Sequence, residues 1–251
     1  MMARFLSTFA VPALALPTFV VTVAGGLALA PAADAATVVI WPVDPVIKQG
    51  EQSTSLWLEN TGSEPVTLQV RSFGWSQPEG ADALGDQDEV VASPPIATVA
   101  PGRRQLVRVI RRPTAVDPAV PERSYRLIID ELPTRPAGGA DSAVSAKLAV
   151  QMRYSIPLFT YAADPGKQTP HLVTTYRSTA TGREMEIRNV GTGHARLTDV
   201  RLITQGKEQL VRAGLAGYVL PGATLRFPMP AGTSTVKLGV NGRDETLAPD
   251  A

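Results

Sequence analysis

After the first 35 residues, apolar and polar positions alternate with a period of two, in short runs. Ser55–Asn60 and Thr67–Phe73 show it cleanly, as do Gln105–Ile110; Tyr125–Ile129 shows it less so. Period two places successive side chains on opposite faces of a strand, so each run predicts a strand with one buried face. Turn chemistry separates the runs: Asn60-Thr61-Gly62, Pro94-Pro95 and Pro101-Gly102. No stretch of twelve or more residues keeps the i, i+3, i+4, i+7 apolar spacing of a helix without Pro or Gly. Several short strands at this spacing predict an all-β sandwich or barrel.

The pattern occurs twice. Leu56-Trp57-Leu58-Glu59-Asn60-Thr61-Gly62 resembles Met185-Glu186-Ile187-Arg188-Asn189-Val190-Gly191. A polar turn and another strand follow each, and each half later carries a Pro-Gly turn, Pro101-Gly102 and Pro221-Gly222. Asn and Gly suit positive-φ turn positions. Reuse of common turn chemistry would explain any one of these features; their order predicts two similar sandwiches in tandem. The break falls near Tyr161–Pro170, giving domains at 36–160 and 161–251.

The beginning of the chain has a different character. Arg4 is the only ionisable side chain before Asp34, and the run ends in Ala33-Asp34-Ala35. A basic start, an apolar middle and an A-x-A end predict a secretory signal peptide over 1–35, cleaved after Ala35 on export. The uncharged run is also long enough to span a bilayer, so a retained membrane helix is the alternative. Pro12, Pro17, Gly25 and Gly26 interrupt it, which favours cleavage.

Composition narrows the chemistry. Of 251 residues, 21 are Gly and 22 are Pro, in keeping with many turns, and 44% are hydrophobic, enough for a packed core. The absence of Cys excludes disulfides, thiol nucleophiles and thiolate metal sites. The 24 basic and 23 acidic residues nearly cancel, so no basic excess points to nucleic acid. His171 and His194 have no metal-ligand spacing and read as solvated loop residues. Arg103, Arg104, Arg108, Arg111 and Arg112 form a basic run that reads mostly as a solvated strand face. Asp82, Asp86, Asp88 and Glu89 lack the order of a calcium loop and read as solvated charges. No nucleophile motif or phosphate loop is present, so no catalytic residue, metal or cofactor is expected.

One segment stands apart. Along 143–160, alternation places Val144, Ala146, Leu148, Val150, Met152, Tyr154 and Ile156 on one face. A strand this long, preceded by the loop Pro133–Ala140, either lines its own domain's core or offers an edge to which another chain adds a strand.

The sequence resembles the periplasmic chaperones of the chaperone–usher pilus pathway, in particular their archaic branch. The resemblance is carried by Trp41-Pro42-Val43-Asp44-Pro45-Val46-Ile47, Ser55–Gly62, Gln69-Val70-Arg71-Ser72-Phe73-Gly74-Trp75 and Ala92-Ser93-Pro94-Pro95-Ile96. It continues through Ala100–Arg108, Tyr125–Pro133 and Tyr218-Val219-Leu220-Pro221-Gly222, in order, over nearly all of the chain after residue 35. It implies two immunoglobulin-like domains in a boomerang, with a cleft between them. It also implies a function: to bind, fold and cap pilin subunits by donor-strand complementation and deliver them to an outer-membrane usher.

Matched residue by residue, the donor strand is Leu148, Val150 and Met152, with Ala146 at its edge. Better-known members hold the subunit's C-terminal carboxylate with an Arg and a Lys; those positions fall near Asp44 and Pro157 here, and neither supplies a cation. Arg126 and then Arg153 are the candidate anchors, a guanidinium being suited to bidentate carboxylate binding. Arg108 and Glu122 match an interdomain charge cluster whose third acid is replaced near Asn241. The second-domain disulfide of many relatives is absent. The alternatives are a secreted or membrane-anchored two-domain adhesion module and an envelope hydrolase, the second disfavoured by the scarcity of His. An exposed apolar edge further implies self-association of the free protein.

Overall fold

A computed structural model of the chain describes residues 38–113, 117–133, 151–179, 182–230 and 233–248. The expected signal peptide at 1–35 and the expected donor residues Ala146, Leu148 and Val150 lie outside the described residues.

Among the described residues ten strands precede residue 162: β1 (Val38–Trp41), β2 (Val46–Ile47), β3 (Ser53–Asn60), β4 (Val66–Ser76), β5 (Ala83–Gly85), β6 (Val90–Ser93), β7 (Ile96–Val99), β8 (Arg104–Arg111), β9 (Glu122–Leu132) and β10 (Arg153–Tyr161). They form two facing sheets, one ordered β1-β3-β8-β6 and the other β2-β10-β9-β4-β5, with β7 also paired to β4. Alternation decides which side chains enter the space between them. Leu56 and Leu58 of β3 and Val107 and Val109 of β8 meet Leu68 and Val70 of β4, Leu127 and Ile129 of β9 and Leu158 of β10. All of these are buried, and each large aliphatic side chain contributes roughly 1.5–3 kcal/mol by leaving water.

Seven strands follow among the described residues: β11 (Leu172–Thr179), β12 (Gly182–Asn189), β13 (Ala195–Thr204), β14 (Lys207–Val219), β15 (Thr224–Met229), β16 (Thr233–Val240) and β17 (Arg243–Leu247). They form a second sandwich of a three-stranded sheet, β11-β12-β15, and a four-stranded sheet, β14-β13-β16-β17. Its core holds Met185, Ile187, Leu197, Val200, Val236, Leu238 and Val240. The fold is thus all-β, with two immunoglobulin-like sandwiches in tandem.

The repeated motif has a common physical basis. Asn60 and Asn189 are both fully buried. The Asn60 amide donates to the Glu64 and Val99 carbonyls at 2.7 and 2.9 Å and accepts from the Gly62 N–H at 2.9 Å. Asn189 donates to Gly193 and Val219 at 2.8 and 2.9 Å and accepts from Gly191 at 3.0 Å. The Pro-Gly turn then returns to each corner, Gly102 N–H bonding the Asn60 carbonyl and Gly222 N–H that of Asn189, both at 2.8 Å. Each asparagine satisfies backbone groups that would otherwise be buried without partners.

A third apolar cluster joins the sandwiches. Trp75, Phe159 and Tyr161 of the first pack with Tyr218 and Leu220 of the second. This explains why β10 departs from alternation, with every residue from Ile156 to Tyr161 buried. One face of the strand lies on the first core, and Phe159 and Tyr161 on the other face lie on the second sandwich.

Candidate functional site

Two of the expected cations reach one cleft. It has a volume of about 530 Å³ and runs between β1, β9 and β10 of the first sandwich and β13 and β14 of the second. Arg126, Arg153 and Arg196 line it, with Ile40, Ile156, Leu215 and Tyr218 as apolar wall and Asp44 and Pro157 also present.

Arg126 sits on β9 opposite Pro157 of β10. Its guanidinium lies 3.6 Å from the centroid of the Trp75 ring and 5.5 Å from that of Tyr218, a cation held over π faces. Asp82 lies 3.5 Å away, and only 13% of the Arg126 side chain is exposed. Burial lowers its basicity and Asp82 opposes that; a guanidinium remains charged regardless. The result is a cation fixed over two aromatic rings, with its carboxylate partner at long ion-pair range, a geometry suited to a second carboxylate.

Arg153, at the start of β10, is 67% exposed and bonds Asp130 through Nε. Asp130 also accepts from Arg71 at 2.7 Å. Burial works to raise the Asp130 pKa, but hydrogen bonds from Arg153 and Arg71 outweigh it and hold the carboxyl below its usual range. Arg153 is therefore already engaged, whereas Arg126 faces its carboxylate at a longer distance. Met152 precedes it, exposed, with its carbonyl accepting from the Glu131 N–H at 3.0 Å.

The edge of β10 is open beside the cleft. β2 pairs with it only at Phe159 and Thr160. Among the described residues no strand pairs with Arg153–Leu158 on the side away from β9. The Phe159 N–H points to that outer side, reaching the Pro45 carbonyl. By strand alternation the backbone groups of Arg153 and Ser155 point the same way.

Arg108 and Glu122 are not brought together. Arg108 is exposed in the middle of β8, opposite Ser55 and Ser93. No ion pair joins it to Glu122 among the described residues. The buried arginine of the basic run is instead Arg111, which shares the inward face with Val107 and Val109. It donates to the carbonyls of Tyr161 at 2.8 Å and Glu51 at 2.7 Å, so the solvated-face reading fails there.

Glu122 does face the second sandwich, but its partner is His194. Its carboxylate, 1% exposed, accepts from the His194 N–H at 3.0 Å and lies 3.0 Å from Nδ1. The Tyr161 hydroxyl also bonds Glu122; burial, then the adjacent carboxylate, pushes that phenol well above its usual range. His194 therefore corrects the solvated-loop expectation, whereas His171 is exposed. Asn241 holds the same loop, accepting from the Arg196 N–H at 2.7 Å and donating to the His194 carbonyl at 3.0 Å.

The acidic loop also has partners. Asp82 pairs with Arg126 and Gln77, Asp88 with Arg112, and Glu89 with Arg123 and Tyr125. The described residues contain no group of three metal-ligating side chains. Two contributors to the junction carried no sequence signal. Gln77 donates to the Tyr218 carbonyl and accepts from the Leu220 N–H, both at 2.9 Å, as a strand residue would. Gly80 approaches Thr224 so closely that a Cβ would stand 2.6 Å from its carbonyl oxygen.

The architecture and the sequence both have relatives. A family model, pili and flagellar-assembly chaperone, PapD N-terminal domain, matches residues 37–162. The CsuC–CsuE chaperone–tip adhesion subunit pre-assembly complex from archaic chaperone–usher Csu pili of Acinetobacter baumannii matches at TM-score 0.67. Identity is 31%, covering 84% of this chain and 97% of that one. The CupB2 chaperone of Pseudomonas aeruginosa matches at TM-score 0.57 and 20% identity, covering 84% and 100%. The Salmonella enterica SafA pilin in complex with the SafB chaperone matches at 0.60 and 14%, covering 85% and 97%. The last two speak for the fold alone. No curated protein matches. With half of the chain matched by the family model and most of it by a structure at 31% identity, the chain belongs to the pili and flagellar-assembly chaperones, on the archaic branch of the chaperone–usher pathway.

Proposed function

We propose that this chaperone captures pilin subunits in the periplasm by lending them a strand, and hands them to an outer-membrane usher. Export on a signal peptide cleaved after Ala35 brings it there. It works by binding, without a catalytic group or cofactor.

The observation that carries this reading is the open edge of β10 beside Arg126. An incoming strand bonds the outward groups of Arg153 and Ser155, while its terminal carboxylate meets the guanidinium over Trp75. Upstream, Leu148 and Val150, with Ala146 and Met152 beside them, fill the groove of a subunit that lacks its last strand. Backbone pairing tolerates sequence variation, so one chaperone serves several subunits.

Coexpression with pilin subunits in the periplasm tests it. Leu148→Asp, Val150→Asp and Arg126→Ala are each expected to lose the copurifying subunit while the chaperone stays soluble. Unchanged subunit yield from both aspartate variants would overturn the donor-strand reading, and unchanged yield from Arg126→Ala would remove that anchor.

A further inference from the structure

Arg196 has no counterpart among the cations expected from the sequence, yet it lines the same cleft from the opposite wall. It lies on β13 of the second sandwich, between the inward-facing Ala195 and Leu197, so its side chain projects from the outer face. Its backbone is fixed on two sides: the N–H bonds Asn241 Oδ1 at 2.7 Å, and the residue stands opposite Tyr218 across β14. Tyr218 is the ring whose centroid lies 5.5 Å from the Arg126 guanidinium. Tyr218 is thus a shared neighbour, of the Arg126 guanidinium across the cleft and of Arg196 by strand register.

Their ion pairing differs in kind. Arg126 has Asp82 and Arg153 has Asp130. No carboxylate among the described residues pairs with Arg196. Among the described residues Asp44 is the sole acid lining the cleft, and it forms no ion pair with any of the three. Asp82 and Asp130 offset Arg126 and Arg153, which leaves Arg196 as the one guanidinium of the cleft without a carboxylate partner among the described residues, a cation that an anion between the walls can pair.

Resting on the reading of the cleft given above, we propose that Arg196 is the second half of the carboxylate clamp. The subunit's terminal carboxylate is held between Arg126 of the first sandwich and Arg196 of the second, with Leu215 and Tyr218 covering its apolar flank. Recognition of the carboxylate then engages both sandwiches, and a subunit seated in the cleft ties one to the other.

The test uses the subunit that copurifies in coexpression, in its native form and with a two-glycine extension that displaces its carboxylate. Arg196→Ala is expected to weaken the native subunit about tenfold, the weight of one charge-assisted hydrogen bond. It should leave the extended form, already weakened, unchanged. Arg196→Lys should recover part of the loss, since it restores charge without the fork. Equal weakening of both forms would place Arg196 outside carboxylate recognition and overturn the proposal. No effect on either form, with Arg126→Ala still selective for the native one, would also overturn it and leave the first-sandwich anchor standing. If Arg126→Ala is equally blind to the extension, the anchor reading itself falls.

Discussion

His194 lies flat on Phe159, with ring centroids 3.5 Å apart and planes 1° from parallel. The histidine belongs to the loop before β13 and the phenylalanine to β10, so the stack bridges the sandwiches. The same imidazole has Nδ1 3.0 Å from the buried Glu122 carboxylate. It is held by a face and by an edge at once.

His194→Ala removes both contacts and leaves Glu122 short of a partner where water cannot reach it. A loss of roughly 2–3 kcal/mol is expected, from a hydrogen bond to a charged group and an aromatic contact. Urea unfolding measures it; a change below about 0.5 kcal/mol, the scale of an ordinary surface substitution, would contradict the assignment.

The arginines of β8 should separate sharply. Arg111→Met leaves the buried Tyr161 carbonyl without that donor and removes the bond to the part-buried Glu51 carbonyl, and is expected to cost roughly 2–4 kcal/mol. Arg108→Met, on the exposed face, should stay within about 0.5 kcal/mol. Melting both variants beside the wild type decides it, and comparable losses would mean that Arg108 has a structural partner.

Asn60→Ala and Asn189→Ala remove equivalent corners from the two sandwiches. Asn60→Ala strands two carbonyls and one turn N–H, and Asn189→Ala two carbonyls and the N–H groups of Gly191 and His171, for an expected loss of roughly 2–4 kcal/mol each. Hydrogen exchange should show the loss of protection centred on β3 and β8 for Asn60, and on β12 and β15 for Asn189. Uniform loss over both sandwiches in each variant would show that they unfold as one unit.

Asp130 gives a pH-dependent outcome. Its carboxyl is held low in the folded protein, so its contribution is complete above the unfolded value of about 3.9 and disappears as pH falls through the lower folded value. The stability gap between wild type and Asp130→Asn should therefore be constant near neutrality and close in acid. Melts from neutral pH down to pH 3 follow it; a gap unchanged in acid would mean that shape, not charge, supplies the stabilisation.

The strands were legible because burial on one face imposes a period of two, as Leu56 and Leu58 show against Trp57 and Glu59. The Asn corners were legible because a buried amide serving a tight turn needs those residues in that order. Arg111 could have been recognised: it has the parity of Val107 and Val109, and a charge on an inward position implies buried acceptors. His194, Gln77 and Arg196 had no such signal. Docking one sandwich on another obeys no repeat along the chain, so a lone histidine or glutamine gives no hint of which surface it will meet. The donor strand rests on alternation through 143–152 and on the family resemblance, and most of it lies outside the described residues.

Pro157 acts on the open edge of β10 through the hydrogen it lacks. Phe159 N–H points outward, so position 157 faces the same way, and there the edge offers a carbonyl but no donor. Two residues further on, β2 already occupies the edge. A chain laid against β10 therefore meets a built-in end stop, and it meets it directly across from Arg126. On the capture proposed above, the length of the guest strand is measured from that point, so a subunit one residue too long or too short presents its last carboxylate out of step with the guanidinium.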